Sequence, residues 1–431
     1  MIKLSFKEEL SRYLYSAIWL LLLPILAVNG LINFTKFNRV VAKEYLSRFG
    51  LGHKHIKQGG FWLHCASVGE VVAVQQLVER LLVSHPKTAI TISTNTMTGR
   101  ERVKQLFGQK VQHLYLPYDF PLFIQVLLKK IQPRMMLITE MELWPNLCHY
   151  CWRKQVPIFL INGRMSEKST NSYLKLAWLI QPLLRKLSAI CAQGQRDLDN
   201  YLKLGATEKS VILTNNMKFD LAISANDLAE ATKISNMFHL EKRTLIVAGS
   251  THEPEEQLML DAYLPLAKQQ ENLLLVIVPR HPQRFAAVNE LLVKQNIAFV
   301  RLSSVAEHKG EMPQVLLADQ MGLLRALYSL AKIAFVGGSI APRGGHNALE
   351  PAALGVPVLM GRSIYNNPHI CETLQQAGAL VFIDNSKELQ EQCKQWLNDE
   401  SLRQQAAEAG QRVVNQNKGA IDHTLAVLGL L

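Results

Sequence analysis

The feature that most constrains this chain is an alternation. From residue 60 onward, short and mostly apolar runs at 61–65, 89–92, 135–139, 157–161 and 189–192 are separated by amphipathic stretches such as 71–83. Runs that brief, each followed by helical periodicity, mark strands covered on both faces, the situation of a parallel sheet built from strand–helix–strand units. The pattern restarts at 244–248 and continues through 273–278, 315–318, 333–336 and 356–360. Between the two series, 222–242 is polar and lacks a strand signal, which suits a helix or a linker. At 431 residues the chain is too long for one compact core. The expectation is an α/β protein of two parallel-sheet domains, 36–221 and 243–431, joined by 222–242, with 1–35 standing apart.

Residues 13–35 carry no charge and include the apolar run 17–28, with Tyr13, Tyr15 and Trp19 near one end. That length approaches what a bilayer demands, and the aromatic residues suit its interface, so the segment reads as a membrane anchor. Asn29, Gly30 and Asn33 weaken its second half and leave shallow insertion open. Lys36, Arg39, Lys43, Arg48, Lys54 and Lys57 follow, opposed by Glu44. By the positive-inside rule this cluster stays on the cytoplasmic side against anionic headgroups. The formal charge of +12 predicts attraction to polyanions of some kind. Nucleic acid is disfavoured, because aromatic residues for base stacking make up only 7% and the densest basic cluster abuts the apolar segment. Six scattered cysteines without framework spacing read as reduced thiols, and Cys148 and Cys151, lacking a second pair, as core residues of a helix.

In the carboxyl half, four successive strand ends are followed by residues able to hold a ligand. The run 333–336 leads into Gly337-Gly338-Ser339 and then Arg343-Gly344-Gly345-His346-Asn347-Ala348-Leu349-Glu350. Glycines let backbone approach a ligand, and a helix beginning there turns free N–H groups toward phosphate. Glu350 at that helix start can accept hydrogen bonds from ribose hydroxyls, although an ordinary connection with a dipole-favoured Glu would look alike. Gly249-Ser250-Thr251-His252-Glu253, Val278-Pro279-Arg280-His281-Pro282 and Asp319-Gln320-Met321-Gly322 follow three more strands; Arg280 offers a permanent charged fork. Together they predict a nucleotide site.

In the amino half the chemistry is of a different kind. Ala66-Ser67-Val68-Gly69-Glu70 turns a strand into a helix and sets Glu70 where it can take a proton from an attacking hydroxyl, or merely improve the helix dipole. The stretch 91–99 is rich in hydroxyls, suited to sugar or phosphate, or simply to a helix cap. Glu140 and Glu142 follow another strand, where one of them can stabilise positive charge developing on a sugar ring. Asn162-Gly163-Arg164 adds a guanidinium, and Lys218 can meet a departing phosphate or a carboxylate, or be a solvated linker residue.

The blocks HCASVGE (64–70), YLPYD (115–119), EMELWPNL (140–147), NGRMSEKS (162–169), NMKFD (216–220), GSTHEPEE (249–256), VPRHPQRF (278–285) and FVGGSIAPRGGHNALEPAALGVPVLMG (335–361) together resemble the 3-deoxy-D-manno-octulosonic acid (Kdo) transferases of lipopolysaccharide synthesis. The resemblance runs from the apolar segment almost to the carboxyl end, in block order. It implies a GT-B fold of two Rossmann-like domains with an N-terminal membrane segment, anchored to the cytoplasmic face of the inner membrane. It also implies an amino domain that binds the acceptor lipid IVA and a carboxyl domain that binds CMP-Kdo, reacting with inversion and without a metal or cofactor. By position, Glu70 matches the family's base, and Glu140 and Lys218 the residues that stabilise the transition state. Pro279, Arg280, Met321, Gly322, Leu323, Asn347, Ala348, Leu349 and Glu350 match its CMP contacts. Pro254, Ala348, Asn215 and Met141 depart from the family's usual residues without removing a catalytic group. The alternatives are a GT-B enzyme that uses a UDP-sugar, and a basic protein without catalysis.

Overall fold

A computed structural model describes residues 6–36, 47–51, 56–221, 225–307 and 313–431. Arg39, Lys43, Glu44 and Lys54 of the basic cluster lie outside them. The chain divides into two compact units, one formed by Met1–Asp220 with Gly419–Leu431 and the other by Leu221–Lys418.

The first unit holds seven strands: β1 (Phe61–His64), β2 (Ile90–Thr94), β3 (Gln112–Tyr115), β4 (Met135–Thr139), β5 (Ile158–Gly163), β6 (Ala189–Ala192) and β7 (Val211–Leu213). They form one sheet in the order β3-β2-β1-β4-β5-β6-β7, with every neighbouring pair parallel. Alternation along each strand supplies two cores. Trp62, Met136, Ile138 and Leu160 join Ile124, Leu127, Cys148, Cys151 and Tyr201 on one face. Leu63, Leu137, Phe159 and Ile161 join Leu77, Leu81, Ile92 and Phe107 on the other. Cys148 and Cys151 are thus packing residues.

The second unit repeats the plan with β8 (Thr244–Thr251), β9 (Leu273–Pro279), β10 (Phe299–Arg301), β11 (Val315–Leu317), β12 (Ile333–Val336), β13 (Val358–Met360) and β14 (Leu380–Phe382). The order is β10-β11-β9-β8-β12-β13-β14, again parallel throughout. The polar stretch 222–242 contains the helix Ala225–Phe238, which buries Ala231, Ile234 and Phe238 and packs on the helix Leu324–Leu330. It belongs to this unit. In both sheets the chain reverses its winding direction beside the first strand, between β1 and β4 and between β8 and β12. In doubly wound sheets ligands bind outside the carboxyl ends of such strands.

Four strands have no counterpart in the sequence reading: β3, β7, β10 and β14. All four are sheet edges, and each is only partly buried. An edge strand is covered less than a central one, so it need not be continuously apolar and leaves no apolar run to detect.

The end of the chain departs from the division at 243–431. Ile421, Leu425 and Leu428 pack into the second core of the first unit. The Asp220 carboxylate accepts hydrogen bonds from the backbone N–H of Gly419 and of Ile421, both at 2.6 Å.

The N-terminal helix runs Phe6–Lys36 and continues through Pro24. Its window Glu9–Leu26 is long and apolar enough to cross a membrane, by length and composition. The helix starts before the uncharged stretch, and its charged residues Glu9 and Arg12 find partners in the protein. Arg12, 4% exposed, donates to Asn146 Oδ1 at 3.3 Å and pairs with Glu9 at 3.0 Å. Ser16 Oγ donates to the same Asn146 oxygen, and Trp19 packs on Tyr118. On the opposite side Leu14, Ile18, Leu21, Ile25 and Val28 form an exposed stripe at helical spacing. Arg48, expected among the headgroup-binding residues, instead donates to the carbonyl oxygens of Asn95 and Leu116.

Candidate active site

At the end of β1 the chain passes through Ala66 and Ser67 into the helix Val68–Ala73. Ser67 is its N-cap, with its hydroxyl accepting from the Glu70 N–H. Glu70 returns the bond: Oε2 accepts from the Ala66 N–H at 2.8 Å and Oε1 from the Ser67 hydroxyl at 3.0 Å. This reciprocal pairing is a variant of the capping box, and it fixes the carboxylate against the end of β1. Glu70 is only 7% exposed. Burial pushes its pKa up to about 7, with the Glu140 and Glu142 carboxylates adding to the rise and the Ala66 and Ser67 hydrogen bonds opposing it.

Glu140 follows β4 and takes a left-handed backbone conformation, φ 58°, while its N–H still donates to Ile161 O at 3.0 Å. A non-glycine residue in that region is uncommon, and such strain concentrates at functional sites. Two residues on, Glu142 Oε2 accepts from Trp144 Nε1 at 3.1 Å and from Asn95 Nδ2 at 3.4 Å. It also faces His64 Nε2 across 3.8 Å. The His64 ring and the Trp144 N–H hold the Glu142 carboxyl below the usual range against its own burial. His64 is fixed from behind, its Nδ1 lying 3.0 Å from Ser93 Oγ. The two acids therefore differ: Glu142 is tied into a hydrogen-bonded network, while Glu140 acts on both Glu70 and Lys218.

Lys218 lies in the short turn Met217–Phe219, which is held to β5 by Asn162, whose Oδ1 accepts from the Met217 N–H at 3.0 Å. Burial lowers the Lys218 pKa, the Glu140 and Glu70 charges oppose this, and Arg164 adds to the lowering. The structure thus brings Glu70, Glu140 and Lys218 into one electrostatic neighbourhood at the carboxyl ends of the strands, with Arg164 alongside. In the hydroxyl-rich stretch the capping reading describes Thr96, whose Oγ1 accepts from the Gly99 N–H at 3.1 Å. Sequence reasoning missed the role of His64 and Asn95 in supporting Glu142, since nothing in their spacing announces contacts among three strand ends.

In the second unit, one expectation is corrected. The glycine-rich turn after β12 forms an amide nest, yet its occupant is the chain's own Glu255, which is fully buried. Its carboxylate accepts from the N–H groups of Gly338, Ser339, Ile340 and Ala341 at 2.8–3.2 Å and from that of His252 at 2.9 Å. A Cβ at Gly337 would come within 2.4 Å of Ser250 O and 2.8 Å of Glu255 Oε2, so that glycine serves the approach of protein to protein. No spacing in the sequence announces this, since the contact joins residues more than eighty apart.

The remaining ligand-capable residues stay at the strand ends. Arg280, exposed after Pro279 ends β9, donates its N–H to Thr251 O at 3.1 Å. Met321 is exposed, Gly322 has φ 90°, and Leu323 is the N-cap of the helix Leu324–Leu330. Asn347 and Ala348 precede the short helix Leu349–Ala353; Asn347 accepts from the Leu349 N–H at 3.2 Å and donates to Glu350 Oε1 at 3.4 Å. Burial raises the Glu350 pKa, while Arg325, Asn347 and Arg280 counter it, so Glu350 shares its surroundings with Arg280. His252 and His346 stand with their Nε2 atoms 3.0 Å apart.

A family profile described as "3-Deoxy-D-manno-octulosonic-acid transferase (kdotransferase)" matches residues 43–221, and one described as "Glycosyl transferases group 1" matches 230–413. A 3-deoxy-D-manno-octulosonic acid transferase of Haemophilus influenzae is 35% identical over 97% of this chain and 98% of its own. That of Bordetella pertussis is 30% identical over 85% of this chain and 86% of its own. A solved UDP-GlcNAc 2-epimerase of Neisseria meningitidis covers 86% of this chain and 99% of its own at TM-score 0.59 and 15% identity, a likeness of fold alone, the two-domain GT-B architecture.

Proposed function

Since the chain belongs to the 3-deoxy-D-manno-octulosonic acid transferase family, and is thereby a Kdo glycosyltransferase of lipopolysaccharide biosynthesis, we propose that it moves Kdo from CMP-Kdo to lipid IVA, with inversion. The observation that carries the reaction is Glu70. It is a buried carboxylate held in place by two hydrogen bonds, with a pKa raised to about 7, in the range that favours general base catalysis at neutral pH. In this reading Glu70 takes the proton of the attacking lipid IVA hydroxyl, whose oxygen bonds to the anomeric carbon as the bond to phosphate breaks. Glu140, held in a strained backbone conformation, faces the positive charge that develops on the sugar ring. Lys218 meets the Kdo carboxylate or the departing phosphate.

The second unit is assigned the donor. Arg280 contacts phosphate or the base edge, Glu350 accepts from the ribose hydroxyls, and Pro279, Met321, Gly322, Leu323, Asn347, Ala348 and Leu349 line the remainder. Support comes from the placement of Arg280 and Glu350 in one neighbourhood at the carboxyl edge of the sheet. The N-terminal helix anchors the protein to the cytoplasmic face of the inner membrane. Because one side of it is docked on the first unit and the other carries the apolar stripe, it lies in the interface with the stripe inserted.

Mass spectrometry of lipid IVA incubated with protein and CMP-Kdo tests the reading. The expected product is heavier by whole Kdo residues; an unchanged acceptor would defeat the assignment. Thermal shift with CMP and UDP separates donors, CMP alone raising Tm.

A further inference from the structure

The second unit also holds a feature that the nucleotide contacts above do not use. At the reversal between β8 and β12, the His252 and His346 rings lie within 8° of parallel and meet edge to edge, with centroids 5.2 Å apart and their Nε2 atoms 3.0 Å apart. At that distance one nitrogen must donate and the other accept, so the contact holds a single proton; two protons would repel. The arrangement is built rather than incidental. The His252 N–H is fixed by Glu255, which also binds the turn beneath His346. The His346 N–H donates to Gly337 O, and Gly338 approaches the His346 ring so closely that a Cβ there would lie 2.8 Å from it.

Charges of both signs surround the pair. His281 meets the His252 ring edge-on at 5.4 Å, and Arg280, Arg284 and Arg343 act on it. The nearby acids are committed elsewhere: Glu253 and Glu256 to Arg284, and Glu255 to the amide nest. Burial and Arg280 depress both imidazoles to about 4, with Arg343 and Arg284 adding to the lowering at His252, so at neutral pH the pair is uncharged.

We propose that the His252–His346 pair receives the phosphate of the nucleotide and takes up a proton from solvent as the phosphate binds. This rests on the CMP reading of the second unit and adds the group that answers the leaving group's charge. In the donor the phosphate is a monoanionic diester. When the bond from the anomeric carbon to its oxygen breaks, the electron pair stays on phosphate, and CMP leaves with one further negative charge. The acceptor's proton goes to Glu70. The solvent proton on the pair offsets the new charge and returns to solvent when CMP departs.

Calorimetry of CMP binding to the full-length protein at pH 7.5, in buffers of different ionisation enthalpy, reads this directly. The expected result is uptake of close to one proton per CMP bound, none with cytidine, which lacks phosphate, and loss of uptake in His346→Gln and His252→Gln. Those variants should bind CMP at least tenfold more weakly while keeping a folded thermal transition. CMP binding to wild type without proton uptake, or uptake unchanged in both variants, overturns the role of the pair and leaves the nucleotide reading standing. Absence of CMP binding overturns both. The wild-type measurement decides even where a variant does not fold.

Discussion

At the scale of single residues, Glu70 shows how one carboxylate serves both fold and chemistry. Its folded pKa, about 7, lies above the ordinary 4.5. The native state therefore holds the proton longer than the unfolded chain, and the stability this lends is complete below 4.5 and lost as pH rises through 7. Glu70→Gln should accordingly gain stability relative to wild type between those values, by an amount on the order of 3 kcal/mol, seen as a difference in Tm at pH 8 that vanishes at pH 4. Catalysis runs the other way. Transfer by wild type should fall about tenfold per pH unit below 7, and Glu70→Gln should lose about 10²–10⁴-fold with CMP affinity unchanged. Retained activity in that variant would remove Glu70 from the base role. Much of this was legible beforehand, because a Ser-x-x-Glu sequence after an apolar run places a carboxylate at a helix start wherever it occurs. Glu255 was not legible. Glycines after a strand look the same whether they cradle a ligand's phosphate or the protein's own acid, and only the fold brings residue 255 to residues 338–341.

At the scale of elements, the central strands could be read because burial on both faces forces a continuous apolar run, and the edges could not because theirs is partial. The N-terminal helix is a mixed case. Its apolar content was plain, but its division into a docked side and an exposed stripe depends on Arg12 and Ser16 finding Asn146, a contact across more than a hundred residues. The stripe makes a measurable difference. Ile18→Ser with Leu21→Ser and Ile25→Ser should cut co-sedimentation with anionic vesicles at least tenfold, since each buried apolar side chain contributes about 1.5–3 kcal/mol, without altering the far-ultraviolet circular dichroism. Unchanged vesicle binding would exclude the stripe as the inserted face.

At the scale of the whole molecule, two parallel-sheet units were expected and found, but the return of the last helix to the first unit was not, since residues 419–431 carry no mark of which sheet they will cover. Asp220 fastens that return, and Asp220→Ala should lower stability by about 2 kcal/mol through loss of two hydrogen bonds to a charged acceptor, read from a urea midpoint. Deleting residues 419–431 should cost more, on the order of 5 kcal/mol for Ile421, Leu425 and Leu428. A deletion that leaves the midpoint in place would show the segment to be dispensable.

The second unit is thus an insertion within the first, and this sets a schedule for biosynthesis. As the polypeptide leaves the ribosome, the inserted half is complete at Lys418, while the half that began earlier still lacks part of its interior. The first domain to be started is the later to be finished, and it waits on residues 419–431 to fill its interior.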